Sequence, residues 1–437
     1  PVYDIRAPAI PPGPPPGTVA ARGGELASSP GEGDVHHGAE PSSDAARRPD
    51  DTVRRVMDDP HVQRMLERAG EPLGGDLGRR LQQVLPHHPE LARIVAGDGS
   101  NALETSLRES LLSRPETLNN LLRHPEAVGI LEQAVADVER RGPEAILEGT
   151  GPKAEPTPLT DAQREISERV AREVQESRRP GEDRNPRVAP SQPDFDPSQV
   201  DPANGRNDPY LNSYLDDLYQ RMRESVPALR ALVHDPALGG EPHLRPGEKD
   251  RVRALDKIMG DYGGDASRLN DLLGAKIQFD SVADLYRALD GLGSVAARHG
   301  IEIVSFKDRM LSPVPSGYRD VRLTVRMPNG HIGELRLHLK SIDEVAAYEH
   351  ALYEVRRDLP NAAEEQNRPL TPEEDALDRA INERVIGRFK DALGRALQDV
   401  PPPGPREGGP GADLSGGPAG PARPPAASQY GWYQDAP

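Results

Sequence analysis

Hydrophobic residues change period between Asn270 and Glu354, and the changes predict a compact α+β unit. Leu272, Leu273, Ala275, Ile277 and Phe279 form a short apolar run closed by Asp280-Ser281, the pattern of a buried strand. Ser281 then offers an N-cap, and Val282, Leu285, Tyr286, Leu289 and Leu292 recur at helical spacing up to Gly300, so a helix follows. Ile301 to Phe306 reads as a second strand ended by Lys307-Asp308-Arg309, and Pro313-Val314-Pro315-Ser316-Gly317-Tyr318 forms a loop, because proline removes donors and restricts the residue before it. Val321, Leu323 and Val325 alternate with Arg322, Thr324 and Arg326; Pro328-Asn329-Gly330 is a hairpin signal, and Ile332, Leu335, Leu337 and Leu339 lie on the return strand.

The same reading predicts helices on both sides of this unit. Before it, Leu211, Tyr214, Leu215, Leu218 and Met222 line a helix that starts at Pro209 and bends or ends before Pro227. Another runs from Glu248 to Asp261 and places Lys249, Arg253 and Lys257, four apart, on one face that is either solvated or a phosphate clamp. After the sheet, helices are expected over Asp343 to Arg357 and from Thr371, where Pro372 and Glu374 complete a capping box. Further upstream, residues 51 to 150 read as wholly helical, with helices starting at Pro60, Pro89, Pro115 and Pro125; they form a small bundle or, alternatively, a repeat array. One isolated helix is expected from Thr160 within a linker of residues 151 to 207.

Composition limits what else can fold. The 437 residues include 47 Pro and 42 Gly with 35% hydrophobic residues, so residues 1 to 50 and 401 to 437 read as disordered Pro/Gly-rich segments around a domain of residues 208 to 400. His36-His37 reads as a solvated pair, and Tyr430, Trp432 and Tyr433 as part of an unstructured tail. With no cysteine, the chain has neither a disulfide framework nor a thiolate metal site. No stretch is apolar enough to insert into a membrane, and a start at Pro1 predicts a piece of something longer. The net charge of −17 argues against DNA as a partner, yet Lys307 to Lys340 holds seven Lys/Arg against three Asp/Glu, a local excess that suits a small anionic ligand.

Two carboxylates stand among those cations. Asp271 heads one strand and Glu334 lies inside another, on the face opposite Leu335, Leu337 and Leu339 and shared with Arg336 and His338. Mg²⁺ prefers one or two carboxylates together with a substrate's phosphate oxygens, and this pair could supply them; the alternative is a solvent-exposed strand face.

Six motifs occur here in an order that resembles the RelA/SpoT-like (p)ppGpp synthetase family, from about Asp208 to Asp358. They are Lys249 with Lys257, Asp271-Leu272-Leu273-Gly274-Ala275-Lys276-Ile277, Phe306-Lys307-Asp308-Arg309, Ser316-Gly317-Tyr318-Arg319, Glu334-Leu335-Arg336, and His350-Ala351-Leu352-Tyr353-Glu354. The resemblance implies a mixed sheet flanked by helices in a nucleotidyltransferase-like fold. It also implies an ATP-dependent pyrophosphokinase, in which the ribose 3′-hydroxyl of a guanine or adenine nucleotide, or of a tRNA end, attacks the β-phosphorus of ATP and AMP leaves. Asp271 and Glu334 would then hold Mg²⁺, with Glu334 taking the hydroxyl proton. Lys249, Arg253, Lys257, Lys307 and Arg309 would face the ATP phosphates, and Tyr318, Arg322, Arg336 and His338 the acceptor. Arg322 and Arg336 stand where such synthetases usually have His and Gln, which enlarges the positive surface on the acceptor side. With no hydrolase domain recognised, the expectation is a growth-inhibiting toxin module acting in the cytoplasm, delivered as part of a secreted protein and matched by an immunity partner. The competing expectation is an inactive nucleotide- or RNA-binding module of the same fold.

Overall fold

The computed structural model describes residues 49–99 and 101–398. The stretches read as disordered at 1–50 and 401–437, with His36-His37 and the Tyr430, Trp432 and Tyr433 aromatics, lie outside the described residues, except for Pro49 and Asp50.

The sheet is built from β1 (Glu241–Leu244), β2 (Gly274–Phe279), β3 (Glu302–Asp308), β4 (Val321–Arg326) and β5 (Ile332–Leu339). Its order is β1-β2-β5-β4-β3; β2 and β5 run parallel and the other neighbours antiparallel. The α+β class and the mixed sheet read from the sequence are therefore present. Helix α12 (Val282–Arg298) connects β2 to β3 and lies against β2, β3 and β5, the long crossover that joining a strand back into a mixed sheet requires. Ala275, Ile277, Phe279, Leu323, Leu335 and Leu337 join Leu285, Tyr286, Leu289 and Leu292 of α12 in one core. Alternation then turns Lys276, Arg322, Glu334, Arg336 and His338 to the other face.

Three boundaries differ from the sequence reading. Helix α10 (Pro209–Val233) continues through Pro227: a proline inside a helix costs about 3 kcal/mol, and the buried Leu229, Leu232 and Val233 beyond it return roughly 1.5–3 kcal/mol each. Helix α11 (Arg251–Gly260) starts only after Asp250, whose side chain accepts from the Arg253 N–H. Lys249 therefore precedes the helix and does not share its face with Arg253 and Lys257. Helix α13 (Lys340–Glu365) is longer than expected and passes through Pro360.

The helical region holds α1 (Pro49–Asp58), α2 (Pro60–Ala69), α3 (Leu73–Val84), α4 (Pro89–Ala96), α5 (Ala102–Ser113), α6 (Pro115–Leu122), α7 (Pro125–Arg141) and α8 (Pro143–Leu147); α2, α4, α6 and α7 start at the four prolines expected, α1 and α8 at two more. His88, Arg114 and His124, each before a proline, are held outside helical geometry at φ −131, −127 and −124. Of these, α5, α6, α7 and α8 pack onto α13 or α14 (Pro372–Leu397), with polar contacts among them. Thr117 Oγ1 donates to Asp358 at 2.6 Å, Asn120 Nδ2 to Glu354 at 2.8 Å, and Arg384 pairs with Asp137.

After helix α9 (Asp161–Glu176), residues 185–200 run as an irregular strap against the sheet. Pro186 O receives the Phe306 N–H at 2.8 Å, and Tyr214 Oη donates to Pro193 O at 3.0 Å. Among the described residues no helix is long and apolar enough to cross a membrane.

Candidate active site

Strand register brings the polar residues of the sheet together. Glu334 lies opposite Gly274 on one side and Thr324 on the other; Arg336 lies opposite Lys276 and Arg322, and Lys307 opposite Arg322. Asp271 sits in the loop three residues before β2, 7% exposed, and Glu334 is 5% exposed. Both carboxylates belong to the same end of neighbouring parallel strands, close enough for Asp271's charge to oppose ionisation of Glu334.

Each carboxylate is held by its own pair of cations. Lys249 Nζ and Lys257 Nζ approach Asp271 Oδ2 at 2.5 and 3.1 Å. Lys249 is fixed through its backbone, whose carbonyl accepts from Tyr219 Oη at 2.7 Å, and Lys257 Nζ lies 5.5 Å over the Tyr262 ring. Arg322 Nε reaches Glu334 Oε2 at 2.9 Å, and Arg336 Nε pairs with Oε1. Arg245, just after β1 with its N–H on Gly274 O at 3.0 Å, interacts electrostatically with both carboxylates. Five cationic side chains thus surround two carboxylates, an environment that favours a multiply charged anion.

The protonation states follow from that arrangement. Burial pushes the Glu334 carboxyl up, but Arg336 and Arg322 outweigh it and hold the group at about 2, from an ordinary 4.5. Burial likewise opposes ionisation of Asp271, and Lys249 and Lys257 overcome it, keeping the group well below the usual carboxylate range. A carboxyl with a depressed native pKa contributes stability above its unfolded pKa and loses it as pH falls through the native value. The thermal midpoint is therefore expected to fall between about pH 4.5 and 2 as these clamps are protonated; a flat midpoint across that window, followed by calorimetry, would contradict the clamp.

The residues also fit a divalent cation. Asp271 Oδ1 is buried without a hydrogen-bond donor, which leaves a carboxylate oxygen for a metal. Among the described residues no group of three or more His, Asp or Glu side chains forms a metal cage, so the chain's share would be the one or two oxygens that Mg²⁺ takes when phosphates complete its shell.

The remaining residues singled out by sequence are placed as follows. Arg253 is exposed on α11. Lys307 is half-buried at the β3 side of the sheet, and Arg309 pairs with Asp320 at 3.4 Å. Tyr318 is 6% exposed: its hydroxyl lies 3.0 Å from Asp320 Oδ2 and 2.8 Å from His338 Nε2, and its ring packs edge-on against Phe389 of α14 at 6.1 Å. The ring expected to be available to a base is thus covered by α14 in this conformation. His338 is fully buried behind it. His350 pairs with Glu354 at 3.3 Å on the surface that receives the helical region. Sequence reasoning missed Arg245 and Asp320. Arg245 stands four residues before Lys249, between Pro246 and a four-residue strand too short to register as one.

The geometry defines a largely buried cationic cluster on one face of a mixed sheet, built around two clamped carboxylates. The chain is 28% identical over 104 residues, 24% of its length, to a GTP pyrophosphokinase rsh of Brucella melitensis, and the match spans 14% of that relative. Solved structures similar to it include small alarmone synthetase 1 of Bacillus subtilis bound to its product pppGpp (18% identity, 36% of this chain and 92% of that one, TM-score 0.27). Another is the Type VI effector Tas1 in complex with its immunity protein (19% identity, 41% and 95%, TM-score 0.29). No family model matches the chain. The resemblance to RelA/SpoT-like synthetases carried by the six motifs is thus shared by the relatives found.

Proposed function

We propose that the chain is an ATP-dependent pyrophosphotransferase, which moves the β,γ-pyrophosphate of ATP to the ribose 3′-hydroxyl of a guanine or adenine nucleotide, or of a tRNA end. The observation that carries this reading is the juxtaposition of Asp271, in the loop before β2, and Glu334, on the neighbouring β5, each inside its own cation clamp. Phosphoryl-type transfer asks a protein mainly for positioning and for neutralisation of phosphate charge, and the cationic cluster supports both. Lys249, Lys257 and Arg245 would neutralise the donor phosphates, and Arg322 and Arg336 would face the acceptor. Asp271 and Glu334 would hold Mg²⁺, which when bound supplies charge to the phosphate oxygens.

In the step itself, the acceptor 3′-oxygen bonds to the β-phosphorus while its proton passes by way of Glu334 to solvent, the bond from β-phosphorus to the α,β-bridging oxygen breaks, and AMP leaves with that oxygen. Glu334 is ionised throughout the neutral range, so it can accept the hydroxyl's hydrogen bond and orient it. Its low proton affinity makes it a better orienter than a proton store.

As a toxin module, such an activity would arrest growth from the cytoplasm by draining nucleotides, and an immunity partner would act by blocking access to the cationic cluster. The competing reading, a nucleotide- or RNA-binding module without turnover, is favoured by one feature: both Glu334 oxygens are already engaged by arginines. Incubating the full chain with labelled ATP, Mg²⁺ and separately GDP, GTP, ADP, ATP or tRNA distinguishes the two. Release of AMP with a pyrophosphorylated acceptor is expected; acceptor binding without AMP from any of the five would leave the binding module.

A further inference from the structure

We infer that Gln192, in the strap that precedes α10, is a positioning residue that sets the spacing of the two carboxylates; this rests on the pyrophosphotransfer reading. One carboxamide spans both carboxylate-bearing segments. Gln192 Nε2 donates to Leu269 O at 3.0 Å and to Ile332 O at 2.7 Å, while its Oε1 accepts from the Ile332 N–H at 2.9 Å. Its own N–H donates to Ser267 O at 2.7 Å, and Asn270 Nδ2 reaches back to Pro190 O at 3.2 Å. Leu269 is two residues before Asp271, and Ile332 two before Glu334.

The two hydrogens of a single amide nitrogen are thus divided between the backbones that carry the two carboxylates. Gln192 is 3% exposed and Leu269 and Ile332 are 0% and 1%, so water does not compete for these bonds, and a buried amide with all its bonds made is held in one orientation. Adjacent β2 and β5 residues are already fixed by their own ladder, but Asp271 lies outside it, in the loop before Gly274. The Glu334 N–H bond to Leu273 O at 2.9 Å ties the end of that loop to β5, and Gln192 adds a second tie on the far side of Asp271, at Leu269. Because catalysis of this kind depends on sub-ångström placement, loosening this bridge should affect turnover more than substrate affinity.

The test uses the full chain with Gln192→Met, which keeps the length without the bonds, and Gln192→Glu, which keeps the acceptor to Ile332 N–H but offers Leu269 O and Ile332 O no donor. Each is assayed at a temperature where its near-ultraviolet circular dichroism matches the parent. AMP release should fall roughly tenfold to a hundredfold in kcat, with KM for ATP within about twofold. Independently of turnover, Mn²⁺ affinity in the presence of a non-hydrolysable ATP analogue, read by electron paramagnetic resonance, should weaken by at least about fivefold. Parent-like kcat and Mn²⁺ affinity in both variants overturns the inference, as does a loss that only tracks the unfolded fraction. A parent that binds Mn²⁺ and nucleotide but releases no AMP overturns pyrophosphotransfer instead, and Gln192 then stands or falls on the Mn²⁺ measurement.

Discussion

Glu334→Gln is expected to abolish AMP release and also to destabilise the fold, whereas Glu334→Gln combined with Arg336→Gln should keep the first loss and recover part of the second. The carboxylate accepts from Arg336 and Arg322, and all three side chains are buried or nearly so. Removing one member of a buried ion pair leaves the other charge uncompensated and costs about 3–5 kcal/mol. The single variant strands two guanidiniums at once, beside a third in Arg245. Replacing Arg336 as well removes one of those charges and leaves two neutral amides that can bond to each other, which is why part of the stability should return. Activity should not: losing the group that orients the hydroxyl costs about 10²–10⁴-fold. Denaturant unfolding and AMP release on the same three proteins read both effects. A single variant as stable as the parent would mean that the clamp carries little free energy, and a double variant that regains turnover would remove Glu334 from the chemistry.

This coupling also governs how any growth assay is read. A Glu334 variant that no longer arrests bacteria has lost either chemistry or fold, and only the doubly substituted chain, folded and inactive, separates them.

What the sequence made legible follows the physics of each element. β4 and β5 were readable because alternation at period two is a local signal, β2 because a short apolar run closes at Asp280-Ser281, and α12 because Ser281 and its apolar stripe agree with each other. The site was readable where motifs fell on those strands: Glu334, Arg322 and Arg336 follow from alternation alone once the strands are placed. Lys249 was chosen for the wrong local reason, since it lies outside α11 and meets Asp271 through tertiary packing. Tyr318 shows the limit more sharply. A Gly-Tyr loop reads as exposed, and only Phe389, 71 positions away on α14, reveals the ring as covered. Gln192 could not be found at all from local pattern, because it lies in a Pro-rich stretch and every bond of its side chain is to backbone at 77 or 140 positions' separation. Carboxamide bonds to distant backbone leave no periodicity to read.

The second large effect concerns the lysine clamp and has an unusual sign. Lys249→Met or Lys257→Met alone should leave a folded protein, because the other ammonium still neutralises Asp271, and KM for ATP should rise about tenfold for each, the size of one charge-assisted bond. The double variant is different. Its Asp271 keeps the burial that opposes ionisation and loses the two nearest charges that overcame it, with only Arg245, shared with Glu334, still interacting. The native pKa should then move from below the unfolded value to above it. A group with a raised native pKa stabilises the fold below its unfolded pKa, and that contribution is lost as pH rises through the native one. The double variant should therefore gain stability relative to the parent as pH falls from about 7 toward 5, while at pH 7 it is weaker by roughly 3 kcal/mol. Urea midpoints across that range decide it: parallel pH curves for parent and double variant would show that Asp271 is neutralised from elsewhere, and the assignment of Lys249 and Lys257 as its counter-charges would have to be withdrawn.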